Sequence, residues 1–226
     1  MRIMLLAAGR GERLRPLTER VPKALVEVAG RSLLERHLER LAAAGADTAV
    51  INLGWLGERI VGRIGDGHRY GLRIVYSPEG EDVLETGGGI LRALPMLGDA
   101  PFWVVNADIV CDWLPPSAPL AADADAELVL VANPGYREDG DFGLQDGRVT
   151  LGKPAPYTFA GIARYRPEFF ADCRPGRFPL APLLMDAAGR GALAGSLHRG
   201  FWADVGTPER LADAEAALQA AGNASA

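Results

Sequence analysis

The chain has 226 residues, of which 48% are hydrophobic, and a formal net charge of −5. This size suits one sizeable core, so we predict a single domain over residues 1–226. The acidic charge balance argues against nucleic-acid binding, which needs a clustered basic face, and no apolar run reaches the roughly 18 residues of a membrane span. Two widely spaced cysteines do not form a disulfide framework. We therefore expect a cytoplasmic protein, and no protein partner is implied.

The first half of the chain alternates between predicted strands and helices. Ser32 and Glu35 form a capping box, which marks the start of the first helix. Apolar runs and helical spacing predict the other elements, namely strands at 3–7, 48–53, 72–76 and 102–105 and helices over 55–64 and 88–97. This order predicts an α/β fold with a mainly parallel sheet and helices on both faces. Ligands of such sheets bind beyond the carboxyl ends of the strands.

The second half of the chain has a more mixed pattern. Asp146-Gly147 is a favoured tight turn and predicts a hairpin around it. Thr207 and Pro208 open the last helix as its N-cap and first residue. The remaining predictions are strands at 127–132 and 158–165, a helix over 180–188, and a loop with a short helix over 115–126.

A glycine-rich, basic loop follows the first strand. Glycines at such a place let backbone N–H groups approach a phosphate. The dinucleotide fingerprint G-x-G-x-x-G fails here, because Leu14 stands where the third glycine should be, and the P-loop string is absent from the sequence. The loop reads L-A-A-G-R-G-E-R-L-R-P-L-T from Leu6 to Thr18, followed by P-K-A-L up to Leu25. Arg13 and Lys23 would bring positive charge to a phosphate ligand.

This segment resembles the signature of the sugar-1-phosphate nucleotidyltransferase family, roughly L-A-A-G-x-G-x-R-L-x-P-L-T-x-x-x-P-K-x-L. Asn106-Ala-Asp108 resembles the family element whose aspartate holds Mg²⁺, and Trp202-Ala-Asp204 resembles the element with the second aspartate. The resemblance implies a Rossmann-like, GT-A-like fold. It also implies a nucleotide-binding half over 1–110 and a sugar-binding half over 111–226.

The resemblance further implies roles for individual residues. Lys23, Arg13 and Asp108 would be catalytic, and Asp108 with Asp204 would bind Mg²⁺ as the cofactor. Two larger sets line the substrates: Leu6, Ala8, Gly9, Gly11, Asn52, Thr86, Gly87 and Gly88 for the nucleotide, and Asn106, Asp141, Gly143 and Gly161 for the sugar. Lys153 lacks the acidic neighbour that the family's sugar-site lysine has, so its role stays open.

The implied reaction is an in-line displacement between a nucleoside triphosphate and a sugar 1-phosphate. A phosphate oxygen of the sugar attacks the α-phosphorus and pyrophosphate leaves, without a general base. The likeness is strongest to the bacterial branch that transfers UMP from UTP to N-acetylmuramate α-1-phosphate in peptidoglycan recycling. Mannose-1-phosphate guanylyltransferase shares the signature and is the alternative. A non-catalytic nucleotide-sugar sensor on the same fold should have lost Lys23 or an aspartate, and all three are present.

Overall fold

The computed structural model describes residues 1–80 and 84–224. The helices are Leu33–Ala43 (α1), Gly57–Ile64 (α2), Glu85–Leu97 (α3), Ala181–Gly189 (α4) and Pro208–Ala224 (α5). The strands are Arg2–Leu6 (β1), Glu27–Val28 (β2), Arg31–Ser32 (β3), Thr48–Leu53 (β4), Arg73–Pro78 (β5), Phe102–Asn106 (β6), Ile109–Cys111 (β7), Ala126–Ala132 (β8), Gly143–Gln145 (β9), Arg148–Thr150 (β10), Tyr157–Tyr165 (β11), Leu193–Leu197 (β12) and Trp202–Asp204 (β13).

Nine of these strands form one sheet in the order β5-β4-β1-β6-β11-β8-β12-β10-β9. In the first half of the chain β1 runs parallel to β4 and β6, with Ile3 opposite both Ala49 and Trp103, and β5 runs parallel to β4. β11 is antiparallel to β6 and β8. The carboxyl ends of β1, β4, β5 and β6 therefore meet at one edge of the sheet, as the alternating pattern predicted.

Alternate residues of the central strands pack into two separate cores. Ile3 and Leu5 face the core that contains α1 and α2. Met4 points the other way, into the core that contains α3 and α4. All three side chains are fully buried, and each contributes about 1.5–3 kcal/mol through burial. The predicted arrangement of helices on both faces of the sheet is confirmed.

A third core joins the two ends of the chain. Leu14 and Val26 come from the loop after β1, while Val205 and Ala214 come from the segment that enters α5 and from α5 itself. α5 therefore covers the loop that carries the glycine signature. No described helix has the length and apolar character needed to cross a bilayer.

The capping box is confirmed. The Ser32 hydroxyl accepts from the Glu35 N–H at 3.3 Å, and the Glu35 carboxylate accepts from the Ser32 N–H at 3.3 Å. The short helix predicted within 115–126 is wrong, because the described chain holds no helix between β7 and β8. Carbonyls of that segment accept from arginine side chains instead, for example Ala118 from Arg164 at 2.7 Å.

Buried His37 makes the stability of the fold depend on pH. Burial lowers the pKa of His37 to about 4, and its Nε2 has no hydrogen-bond partner among the described residues. The unfolded chain takes up this proton near pH 6.5, whereas the folded chain does so only near pH 4. The free energy of unfolding therefore decreases as the pH is lowered from about 6.5 to about 4.

We expect His37→Gln to flatten this dependence. The loss of unfolding free energy between pH 7 and pH 5 should shrink by about 2 kcal/mol relative to the unsubstituted chain. Urea denaturation at the two pH values measures the difference. Exposed His68 is the control, and equal slopes for His37→Gln and His68→Gln would contradict the assignment.

Candidate active site

A cavity of about 210 Å³ opens at the carboxyl edge formed by β1, β4 and β6. Ala7 and Ala107 lie at its floor and belong to the turns that leave β1 and β6, where the Ala107 N–H donates to the Leu6 carbonyl at 3.1 Å. Eight residues with predicted site roles line this cavity: Leu6, Ala8, Gly9, Lys23, Asn52, Thr86, Asn106 and Asp108. The sheet edge thus brings together segments that are far apart in the chain.

The signature loop folds back on itself so that Lys23 lies over Gly11. Gly11 has a left-handed backbone with φ 63°, and its carbonyl accepts from the Thr18 hydroxyl at 2.8 Å. A Cβ atom on Gly11 would lie 2.9 Å from the Lys23 Cβ. Glycine is required here both for the backbone conformation and for the close approach.

Lys23 and Asp108 form an ion pair at the cavity wall. Lys23 Nζ lies 2.6 Å from Asp108 Oδ2, and the two side chains are 12% and 37% exposed. Because one partner remains open to solvent, the pair can be broken by an incoming charged ligand at modest cost. The geometry presents a cation and a carboxylate together at the entrance to the cavity.

Asp204 reaches the same region through a strand pair that the sequence pattern did not predict. β13 runs antiparallel to β7, with Asp204 opposite Ile109. The Val205 N–H donates to the Asp108 carbonyl at 2.8 Å. The strand pair therefore places the backbones of the two predicted metal-binding aspartates, Asp108 and Asp204, next to each other.

Two side chains that sequence reasoning missed hold the Asp204 carboxylate. Arg210 Nη1 lies 2.6 Å from Asp204 Oδ1 and 2.5 Å from Oδ2. The Tyr136 hydroxyl donates to Oδ2 at 3.2 Å, and burial raises the pKa of Tyr136 so that this hydroxyl stays protonated. Arg210 lies six residues beyond Asp204, in the first turn of α5, so only the fold brings the two side chains together.

Arg13 is exposed beside this cluster. A Cβ atom on Gly206 would lie 2.8 Å from Asp204 Oδ1, 2.9 Å from Arg210 Nη2 and 3.0 Å from Arg13 Nη2. Both guanidinium groups therefore converge on the neighbourhood of one carboxylate. Glycine at 206 leaves the room in which they meet.

The chemistry of the two carboxylates fits Mg²⁺. Asp108, in the turn before β7, and Asp204, in β13, offer hard oxygen donors. Mg²⁺ commonly takes one or two carboxylates and completes its shell with water and substrate phosphate. Over residues 1–80 and 84–224, no cluster of three or more His, Cys, Asp or Glu forms a metal site without a substrate. A cation bound here would therefore need further ligands from phosphate and water.

Asn52 and Glu79 connect the strand ends behind the cavity. Asn52 Oδ1 accepts from the Ala7 N–H at 2.6 Å, and Asn52 Nδ2 donates to Glu79 Oε1 at 2.6 Å. The other carboxylate oxygen of Glu79 accepts from the Leu84 N–H at 3.0 Å. Both side chains are buried and line the cavity. Glu79 had no predicted role, although its position directly after β5 was a signal.

Of the three residues at the start of α3 that were predicted to bind the nucleotide, one lines the cavity and two do not. Thr86 lines the cavity. Gly87 and Gly88 instead pack against the segment before α4, where a Cβ on Gly87 would collide with Phe178 and one on Gly88 with the Gly176 carbonyl. Glycine at these two positions permits close packing of that segment onto α3.

The residues predicted to bind sugar fall into two groups. Gly161 lies in an irregular turn of β11 with φ 76°. A Cβ there would come 2.7 Å from Asn106 Nδ2, so Gly161 lies against Asn106, which lines the cavity. Asp141 is held by Arg137 at 2.8 Å and by the Phe159 N–H at 2.9 Å. Gly143 packs against Thr150 inside the β9–β10 hairpin.

Lys153 is not among the residues that line the cavity. Its side chain is 69% exposed and pairs with Asp139. The structure therefore gives Lys153 an acidic partner, but that partner lies on the same exposed surface.

Comparison with known proteins identifies the family and the fold of the chain. The sequence matches the family described as Nucleotidyl transferase over residues 2–147. The crystal structure of a Bacillus anthracis protein in complex with sucrose superposes with a TM-score of 0.82 at 20% identity, covering 96% of this chain and 94% of that one. The predicted fold class is confirmed.

Relatives that match over more than nine tenths of this chain are named as enzymes. The N-acetylmuramate alpha-1-phosphate uridylyltransferase of Neisseria meningitidis is 44% identical, covering 96% of this chain and 97% of the relative. That of Caulobacter vibrioides is 39% identical, with 95% and 96% covered. The mannose-1-phosphate guanyltransferase of Aspergillus fumigatus is 31% identical, with 92% and 62% covered. The chain belongs to the nucleotidyl transferase family and is a nucleotidyltransferase.

Proposed function

We propose that this enzyme transfers UMP from UTP to N-acetylmuramate α-1-phosphate, giving a UDP-sugar and pyrophosphate with Mg²⁺ as cofactor. The observation that carries the reaction is the Lys23–Asp108 pair at the mouth of a cavity on the carboxyl edge of the sheet. The choice of base and sugar is supported by the two uridylyltransferase relatives, which match over nearly their whole length. The guanyltransferase relative is less similar and matches over part of its length.

The proposed mechanism depends on neutralising phosphate charge. The triphosphate and the sugar phosphate bring strong negative charge, and the attacking phosphate oxygen is already ionised, so no general base is needed. Lys23 would hold the two phosphates that react, and Arg13 would contact the β- and γ-phosphates. When bound, Mg²⁺ would supply further charge neutralisation at the α-phosphate, held by Asp108 and Asp204.

The two ends of the cavity would separate the base from the sugar. The base would lie against the backbone of Ala8 and Gly9 and beside Thr86, over the buried Asn52–Glu79 pair. The sugar would lie towards Asn106 and the turn in β11. UTP is a cytoplasmic metabolite, so we propose that the enzyme acts in the cytoplasm. Because the proposed sugar is N-acetylmuramate, we propose that the reaction belongs to peptidoglycan recycling.

We expect pyrophosphate release with UTP and N-acetylmuramate α-1-phosphate in the presence of Mg²⁺, and loss of release with EDTA. A matrix of four nucleoside triphosphates against several sugar 1-phosphates, read by coupled detection of pyrophosphate, measures this preference. Release with GTP and mannose 1-phosphate alone would favour the guanylyltransferase alternative. Silence with every pair would sink the proposed reaction.

Lys23→Ala should reduce kcat/KM by roughly 10²–10³-fold, because a cation is removed from the position of charge development. In this variant water can hydrate the partly exposed Asp108 carboxylate, so the thermal unfolding midpoint should change little. Lys153→Ala removes the chain's other lysine from the surface and serves as the matched control. Equal activity of the two variants would refute the role of Lys23.

Gly161→Ala should raise the KM for the sugar phosphate, because the left-handed backbone is unfavourable for alanine and its Cβ would displace Asn106. The KM for UTP should change much less. Gly62→Ala in α2 is the control: a Cβ there meets no neighbouring atom, and stability should rise by about 0.5–1 kcal/mol. Steady-state kinetics with each substrate varied in turn distinguish the outcomes, and an unchanged sugar KM in Gly161→Ala counts against a sugar site at this turn.

A further inference from the structure

Arg210 occupies the oxygens of Asp204 that a cation would use. A single nitrogen, Nη1, lies 2.6 Å from Oδ1 and 2.5 Å from Oδ2. The Arg210 side chain is 18% exposed and that of Asp204 is 28% exposed. The contact is therefore shielded from water more than an ordinary surface ion pair, and it contributes correspondingly more.

The ring of Tyr136 holds Arg210 from the other side. The Arg210 Cζ lies 4.7 Å from the centroid of the Tyr136 ring, within the range of a cation–π contact. The Tyr136 hydroxyl donates to Asp204 Oδ2. The loop between β8 and β9 thus closes over the carboxylate, and both oxygens of Asp204 are engaged.

Positive charge at this place exceeds what the carboxylate can neutralise. Arg13 and Arg210 both come within 3.0 Å of the point where a Cβ on Gly206 would lie. Arg13 forms no ion pair with any side chain in the described ranges. An anion bound beside the two guanidinium groups would neutralise the remaining positive charge. A phosphate accepts hydrogen bonds from such paired donors well.

We propose that Arg210 is a positioning residue that holds Asp204 before the substrates bind and then transfers to a substrate phosphate. The inference rests on the proposed function of this site. Its physical basis is competition: Arg210 Nη1 lies between the two Asp204 oxygens, where it takes up lone pairs that Mg²⁺ would use at about 2.0–2.1 Å, and its positive charge repels a second cation. Free enzyme should therefore bind divalent cations weakly. The phosphate that arrives gives Arg210 a new partner and releases Asp204.

The test measures Mn²⁺ binding to the enzyme without nucleotide, by electron paramagnetic resonance of the free ion. Arg210→Gln should bind Mn²⁺ about tenfold more tightly than the unsubstituted enzyme, which corresponds to the loss of a competing ion pair. The same variant should show a KM for a phosphate substrate raised severalfold, with a smaller change in kcat. Arg190→Gln, which removes exposed pairs with Asp186 and Asp125, should leave Mn²⁺ affinity and KM unchanged.

Tyr136→Phe keeps the ring and removes one hydrogen bond to Asp204, so its gain in Mn²⁺ affinity should be smaller than that of Arg210→Gln. If Arg210→Gln does not fold, as judged by circular dichroism, Arg210→Lys carries the same test with an intermediate gain expected. Mn²⁺ affinity equal to that of the unsubstituted enzyme, or weaker, overturns the proposal. This readout requires no sugar or base, so a failure of UTP and N-acetylmuramate α-1-phosphate as substrates would be recognised separately.

Discussion

The antiparallel contact between Ile109–Cys111 and Trp202–Asp204 is the interaction on which the site depends. It brings the end of the chain back to the strand edge where the first aspartate lies, and the Val205 N–H to Asp108 carbonyl bond fixes the offset. α5 begins directly after this strand, so its apolar face reaches Leu14 in the signature loop. One short strand pair therefore sets the second aspartate, the C-terminal helix and the loop relative to each other.

The ion pairs around Asp108 and Asp204 are arranged so that their partners can be exchanged. Three cationic side chains, Lys23, Arg13 and Arg210, surround the carboxylates of Asp108 and Asp204. Each carboxylate is partly open to water, so its ion pair costs less to open than a fully buried pair would. A fully buried pair would cost several kcal/mol to break and would resist a charged substrate. The partial exposure explains how a stable fold can carry a site whose charges must change partners.

Local features of the site could be predicted from the sequence, whereas contacts between distant segments could not. The apolar runs of β1, β4 and β6 predicted these strands, and the residue spacing in the signature loop identified its candidate site residues. β7 is apolar but, like β13, has only three residues, and β12 contains Ala194, Gly195 and Ser196, so none of the three carries a pattern long enough to predict a strand. Glu79, Tyr136 and Arg210 find their partners only through tertiary contacts. The assigned catalytic, nucleotide, sugar and metal roles stay predictions, while the structure shows which of those residues meet.

Rigid and exchangeable contacts are divided between two sides of the cavity. On one side of the cavity, the hydrogen bonds among Ala7, Asn52, Glu79 and Leu84 join three segments at the strand ends. Breaking one of them would leave a buried polar group unsatisfied, at a cost of about 1–3 kcal/mol, so this side keeps its shape. On the side of Lys23, Asp108 and Asp204 the contacts are ion pairs that an incoming anion can replace. In the proposed function the base would lie on the rigid side and the phosphates on this one, so base recognition and phosphate binding could change independently.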